Sequence, residues 1–173
     1  MHKGPQVSLA ELLDSRELRA ETQKQWADKY GLPLVSFTVN MVGPVKRNQL
    51  ACIIFEQIKG AILNYCWREN ITIERYQCIE QNSGYEMLLC LSGKTARQIK
   101  RLMVEIEERH KLGRLADIDV LNEKGEALSR SSLELPVRSC LICRQDAKVC
   151  GRSRAHSVEE LLGKMQQVVA SAI

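Results

Sequence analysis

Two aspartates one residue apart stand in the run Gly113-Arg114-Leu115-Ala116-Asp117-Ile118-Asp119-Val120-Leu121. The β-branched Ile118 and Val120 alternate with the carboxylates, the pattern of a half-buried strand leaving a turn. Side chains alternate across a strand, so Asp117 and Asp119 share one face. Their Cα atoms lie roughly 6–7 Å apart at a rise of about 3.3 Å per residue. Aspartate is disfavoured in strands because its short carboxylate competes for local backbone donors, so two of them need a reason. One reason is chemical: two carboxylates at that separation can converge on one or two Mg²⁺ ions and leave coordination positions for phosphate oxygens. The other is a solvated, acidic strand face, and spacing alone weighs the two equally.

Two further groups carry chemistry. Gly43-Pro44-Val45-Lys46-Arg47 precedes a helical pattern. A glycine-containing loop with two cations at a helix N-terminus suits an anion, because free N–H groups and the helix dipole favour phosphate there. The glycine spacing of a Walker A loop is absent. Local sequence favours an ordinary strand–helix connection with exposed cations. Cys140, Cys143, Cys150 and His156 form the third group, a set of ligands that a structural zinc ion could hold. Six residues separate Cys143 from Cys150 and five separate Cys150 from His156, a departure from the usual paired spacings. Free, partly buried thiols are the reading that spacing favours. A redox dithiol is disfavoured, since no thioredoxin-like βαβ context surrounds the pair. Arg138, Arg152 and Arg154 make this stretch the most basic, either as phosphate ligands or as solvated side chains.

The elements that must position these groups can be read in turn. Ser8-Leu9-Ala10-Glu11 is a capping box opening a helix with Leu9, Leu12 and Leu13 on its apolar face. Asp14-Ser15 is expected to interrupt it, and a second, charged helix from Arg16 to Tyr30 is anchored by Trp26 and ended by Gly31 and Pro33. Arg16 reads as a solvated helix residue. Leu34–Val39 is a strand, and a helix over 48–69 carries a stripe of Leu50, Ile54, Ile58, Ala61 and Tyr65. Ile71–Ile79 and Tyr85–Leu91 form a hairpin about Asn82-Ser83-Gly84. A helix over 94–110 buries Ala96, Ile99, Leu102, Met103 and Ile106, and the aspartate strand follows. Ala127–Ser129 reads as a short returning strand. Ser157-Val158-Glu159-Glu160 is a second capping box, before a terminal helix with Leu161, Leu162, Met165, Val168 and Val169 along its stripe.

The order is β-α-β-β-α-β, which predicts an α+β fold of ferredoxin-like type: an antiparallel or mixed sheet, helices on one face, added N- and C-terminal helices. The fourth strand is expected centrally, beside the first, so the carboxylates and the Gly43–Arg47 loop become neighbours. One domain spans 1–173, with N-terminal helices over 1–32, the α+β core over 33–130 and the Cys/Arg-rich segment and last helix over 131–173. Cys52, Cys66, Cys78 and Cys90 fall inside elements and read as packing residues.

Composition bounds the class. Charged residues make up 27% and hydrophobic residues 45% of the 173, the balance of a globular chain. No apolar run approaches the roughly 20 residues of a membrane span, and the N-terminus has no signal-peptide pattern. Seven cysteines without an export signal imply a reducing cytoplasm. A net charge of +4 fits an anionic ligand or an acidic protein and is too small to imply nucleic acid.

Taken together the motifs are specific. Pro33-Leu34-Val35-Ser36-Phe37-Thr38, Gly43-Pro44-Val45-Lys46, Leu112–Val120, the Leu-Pro-x-Arg-x-Cys-x-x-Cys run at 135–143 and the Cys150…Arg152…His156 ending occur in this order. In this the chain resembles, nearly end to end, the bacterial apo-citrate lyase phosphoribosyl-dephospho-CoA transferases, or holo-citrate lyase synthases. It departs from their pattern at Ala116, where relatives carry a bulky aromatic, a change expected to loosen packing behind the carboxylates. The malonate decarboxylase counterpart is similar around its Gly-x-x-x-Asp-x-Asp motif.

The resemblance implies a nucleotidyltransferase-like fold and reaction. The donor is 2′-(5″-triphosphoribosyl)-3′-dephospho-CoA, and the acceptor is a serine hydroxyl on the acyl-carrier (gamma) subunit of citrate lyase. The serine oxygen attacks the α-phosphorus, diphosphate leaves and a phosphodiester remains. Asp117 and Asp119 then hold Mg²⁺, and Lys46, Arg47, Gly113 and Arg114 are the candidate triphosphate contacts, Gly113 by close backbone approach. The basic C-terminal segment is the candidate surface for an acidic carrier. Two alternatives remain: the analogous transferase for the malonate decarboxylase carrier, and a zinc-stapled ferredoxin-like binding module. The strands lack the stacking aromatics of an RNA-binding module of that type.

Overall fold

A computed structural model describes residues 3–172. The elements are α1 (Leu9–Tyr30), β1 (Leu34–Val39), α2 (Gln49–Arg68), β2 (Thr72–Gln81), β3 (Gly84–Ser92), α3 (Ala96–Arg109), β4 (Ala116–Leu121), α4 (Ala147–Ser153) and α5 (Val158–Ala172). Short 3₁₀ turns occupy Gly113–Leu115 and Ser131–Leu133.

The four strands form one antiparallel sheet in the order β2-β3-β1-β4. Alternation sorts its residues onto two faces. Val35, Phe37, Met87, Leu89, Leu91, Ile118 and Val120 join the main core beneath α2, α3 and α5. Phe37 stacks on Phe55 at 5.3 Å, and Phe55 on Tyr85 at 5.4 Å. Leu34, Leu88, Cys90 and Leu121 point the other way and form a smaller cluster with Trp26 and Ala27 of α1. Helices therefore cover both faces, where the sequence predicted one.

Several local signals hold. Ser8 with Glu11 forms the capping box of α1; Thr95 with Gln98 forms one for α3 that the sequence reading did not mark. Ser157 and Glu160 exchange the same pair of bonds before α5. Asn48 caps α2, and Gly31 ends α1 in the left-handed region at φ 58°. Met165 and Val169 of α5 are buried against the main core.

Others are corrected. The N-terminal segment is one 22-residue helix rather than two, because Asp14 and Ser15 continue it without a break. Leu9 and Leu13 are 73% and 47% exposed, since α1 docks through its C-terminal half, at Trp26 and Ala27. On α2, Ala61 and Tyr65 are only partly buried; Ile62 and Cys66 take the covered positions. Ala127 makes a single bridge to Leu121 instead of starting a strand. Cys78 is exposed on the outer strand β2, while Cys66 and Cys90 are buried. Strand β4 lies beside β1 as expected but at the sheet edge and not centrally.

That edge is closed by charged side chains. Buried Lys100 donates to the Ile118 carbonyl at 3.0 Å, and the Ile118 N–H donates to buried Glu107 at 3.1 Å. Arg138 donates to the carbonyls of Arg114, at 2.8 Å, and Ala116. An open edge would invite another chain; here its groups are spent internally. Ala116 is fully buried at the start of this strand.

Gly113 sets the approach of β4 to α3. A Cβ there would stand 2.2 Å from the Ile106 carbonyl oxygen and 2.7 Å from that of Glu107. Gly113→Ala therefore forces the α3–β4 connection apart and is expected to destabilise the fold by about 2–3 kcal/mol, read as a lower denaturant midpoint at unchanged m-value.

Candidate active site

Between α1 and the sheet lies a cavity of about 450 Å³. Its floor is built by register. Thr38 of β1 pairs with Asp117 on one side and Glu86 on the other; Ser36 pairs with Asp119 and Leu88. Asp117, Asp119, Ser36, Thr38 and Glu86 all line the cavity, and Arg16, Arg19 and Lys46 contribute from α1 and the β1–α2 loop. Carboxylates and hydroxyls thus form one wall and cations the facing part.

The carboxylate pair is only partly compensated, through Asp117. Burial first, then the charge of Asp119, raise the Asp117 carboxyl above its ordinary range, with Glu107 adding to the rise; Arg138 and Lys100 oppose it. The Arg138 guanidinium stands 3.6 Å from Asp117, whose side chain nonetheless keeps 56% exposure to the cavity. Among the described residues Asp119 forms no ion pair. Two like charges on one strand face, exposed to a polar cavity, are a fitting oxygen donor set for a hard divalent cation. Glu86, by contrast, is already engaged: the Ser15 hydroxyl donates to it at 2.9 Å and Arg19 lies 3.8 Å away.

Lys46 and Arg16 face the same space. Burial, then the nearby Arg16 charge, lower the Lys46 ammonium from its ordinary range; its Nζ donates to the Met41 carbonyl. An anion entering here would relieve the repulsion between them.

The other expected phosphate contacts lie elsewhere. Arg47 stands 3.5 Å from Glu80 and is outside the cavity lining. Gly113 approaches α3, as described. Arg114 sits among Arg130, Arg138 and Glu107, and burial followed by the two arginines lowers it from its ordinary range. Arg16, Arg19 and Glu86 were missed or set aside. Their one sequence signal is that Arg16 and Arg19 lie three apart on α1, hence on one face, which periodicity alone reads as a solvent face.

The cysteine group assembles away from this cavity. The ligand atoms of Cys140, Cys143, Cys150 and His156 all lie within 4.8 Å of one another, an arrangement that could hold a metal. The Gln145 backbone N–H, then His156 and Cys150, hold the Cys143 thiol well below its usual range, whereas the bond to Cys143 pushes Cys150 up. Arg152 and Arg154 are exposed beside it.

Comparison with known proteins gives a consistent result. The family model for apo-citrate lyase phosphoribosyl-dephospho-CoA transferase matches residues 7–172. A probable apo-citrate lyase phosphoribosyl-dephospho-CoA transferase of Vibrio cholerae serotype O1 (strain M66-2) is 39% identical over 167 residues, covering 96% of this chain and 94% of its own. Enzymes of that name from Escherichia coli O139:H28 (strain E24377A / ETEC) and Shigella boydii serotype 18 (strain CDC 3083-94 / BS512) are each 39% identical over 163 residues, covering 94% of this chain and 88% of their own.

Proposed function

The chain belongs to the apo-citrate lyase phosphoribosyl-dephospho-CoA transferase family, and from that premise we propose how its cavity performs the transfer. The protein is a transferase that places the phosphoribosyl-dephospho-CoA group on apo-citrate lyase. The donor in this reading is 2′-(5″-triphosphoribosyl)-3′-dephospho-CoA, and the acceptor is a serine of the acyl-carrier (gamma) subunit. We read the strand–helix order and the antiparallel β2-β3-β1-β4 sheet as the ferredoxin-like core of a nucleotidyltransferase.

The observation that carries the site assignment is the pair Asp117 and Asp119, with Asp117 beside Arg138 and Asp119 in no ion pair among the described residues, lining one cavity with Lys46 and Arg16. Asp117 and Asp119 hold Mg²⁺, which when bound supplies positive charge to the α-phosphate and the leaving diphosphate. Lys46 and Arg16 bind the triphosphate tail, and Arg19 holds Glu86 out of its way. The serine oxygen forms a bond to the α-phosphorus as the bond to diphosphate breaks. The serine proton passes to a carboxylate oxygen of the pair that the cation leaves free. Arg47, Gly113 and Arg114 support the loops around the cavity in this reading rather than touching the donor.

The Cys140/Cys143/Cys150/His156 group is assigned zinc, on the softness of its donors. Seven free cysteines fit a cytoplasmic enzyme. Exposed Arg144, Lys148, Arg152 and Arg154 offer a basic face to an acidic carrier. Among the described residues no helix is long and apolar enough to cross a membrane.

The lowered Lys46 gives a pH test. Donor binding favours the protonated ammonium, so the KM for donor rises with pH and begins to rise below the range of an ordinary lysine. Lys46→Arg, whose charge persists, removes that alkaline limb. Steady-state kinetics from pH 7 upward reads both; a limb unchanged in the arginine variant argues against Lys46 as a phosphate contact.

A further inference from the structure

Cys140, Cys143, Cys150 and His156 lie outside the cavity and take no part in the chemistry above. The Cys143 sulfur stands 3.4 Å from the Cys150 sulfur and 3.3 Å from Nε2 of His156. Three thiols and one imidazole at this spacing are a closed, soft, tetrahedral set, the donor chemistry of structural zinc.

The segment around them is a small knuckle. Ser139 bridges Asp146, the Cys140 N–H donates to the Gln145 carbonyl, and the Ala147 N–H donates to the Arg138 carbonyl at 2.8 Å. Hydrophobic burial does little to hold it. Between residues 138 and 156 only Cys140 and Cys150 are buried, both members of the ligand set, and Leu141 alone packs, half-buried, against the main core. So little apolar surface does not offset the entropy of ordering the segment. A bound metal does, as in small folds that order only with their ion.

Arg138 is the root of this knuckle, two residues before Cys140. Its backbone is tied to the first residue of α4. Its side chain reaches the other way, with one end of the fork on the carbonyls of Arg114 and Ala116 and Nη1 3.6 Å from Asp117. A single side chain therefore joins the cysteine cluster to the edge strand that carries the carboxylates.

We infer that one zinc ion held by Cys140, Cys143, Cys150 and His156 anchors Arg138 against the edge of β4, and that this positions Asp117 for transfer. The inference rests on the assignment of Asp117 to the transfer site. Zinc is structural here, and Arg138 is a positioning residue that does not touch the donor.

The test compares wild type, Cys143→Ser, Arg138→Lys and Asp119→Asn in the full-length protein. Each is measured for zinc content, for hydrogen exchange of the β4 amides and for transfer kinetics at saturating Mg²⁺. Wild type is expected to carry one zinc per chain. Cys143→Ser loses zinc, exchanges faster along 116–121 and loses about tenfold or more in kcat. Arg138→Lys keeps the charge and loses the fork; it retains zinc, shows the same faster exchange and the same loss in kcat, and leaves the KM for donor unchanged. Wild-type protein that neither contains zinc nor takes it up stoichiometrically overturns the site. Full kcat in Arg138→Lys with zinc bound overturns the coupling, even where Cys143→Ser fails to fold. Wild-type transfer by Asp119→Asn instead removes the carboxylate assignment, and the zinc content of the four proteins still decides the metal site.

Discussion

Asp119→Asn is expected to lower transfer by about a thousandfold or more while the protein stays folded. The side chain is exposed on the floor of the cavity, pairs across the sheet with Ser36 and forms no ion pair among the described residues. Its removal therefore leaves no buried partner unsatisfied, and unfolding is not the route by which activity is lost. What is lost, in the proposed reading, is half of the oxygen donor set for the cation. Asp117→Asn is expected to match it in rate. In that variant the repulsion within the pair also disappears, so stability is equal or slightly raised. Thermal denaturation beside single-turnover transfer separates the two effects. Retention of most of the wild-type rate by either variant removes the pair from the mechanism.

Lys46→Ala is expected to reduce kcat/KM for the donor by about a hundredfold. Lys46 is half-buried and held by the Met41 carbonyl, so its ammonium is preorganised rather than searching in solvent. Fixed charge of this kind stabilises a triphosphate more than a mobile surface lysine does. Arg16→Ala, further out on α1, is expected to cost about tenfold, because the arginine is exposed and screened. Equal kinetics in wild type and Lys46→Ala across a donor titration would place the triphosphate elsewhere.

Much of the architecture is legible locally. β-Branched residues mark β1, β2 and β4, and the Ser8-x-x-Glu11 and Ser157-x-x-Glu160 boxes mark the starts of α1 and α5. The aspartates share a face because a strand has period two, and that needs no tertiary knowledge. The four zinc-type ligands are also visible, although their spacing is unusual. The role of α1 is what sequence conceals. Its Leu9 and Leu13 suggest an apolar face near the start, yet these are exposed, and the residues that matter there are Arg16 and Arg19 over a polar cavity. Periodicity equates a polar face with solvent, and a helix roofing a charged cavity breaks that equation. Gly113 shows the same limit. The residue suggests close approach, but only the packing of α3 reveals that the approaching group is the Ile106 carbonyl. The contact of Arg138 with Asp117 has no local signal either, since the two are far apart in the chain and meet only because β4 is an edge strand.

In the proposed reading, this protein loads a prosthetic group onto a serine of the citrate lyase carrier subunit with release of diphosphate. Intact-mass spectrometry of the apo carrier subunit, incubated with the wild-type protein, 2′-(5″-triphosphoribosyl)-3′-dephospho-CoA and Mg²⁺, measures it directly. The expected result is a single mass increment equal to the donor less diphosphate, abolished when the acceptor serine is replaced by alanine. An unchanged carrier mass, in a sample that the related Escherichia coli enzyme does load, would contradict it.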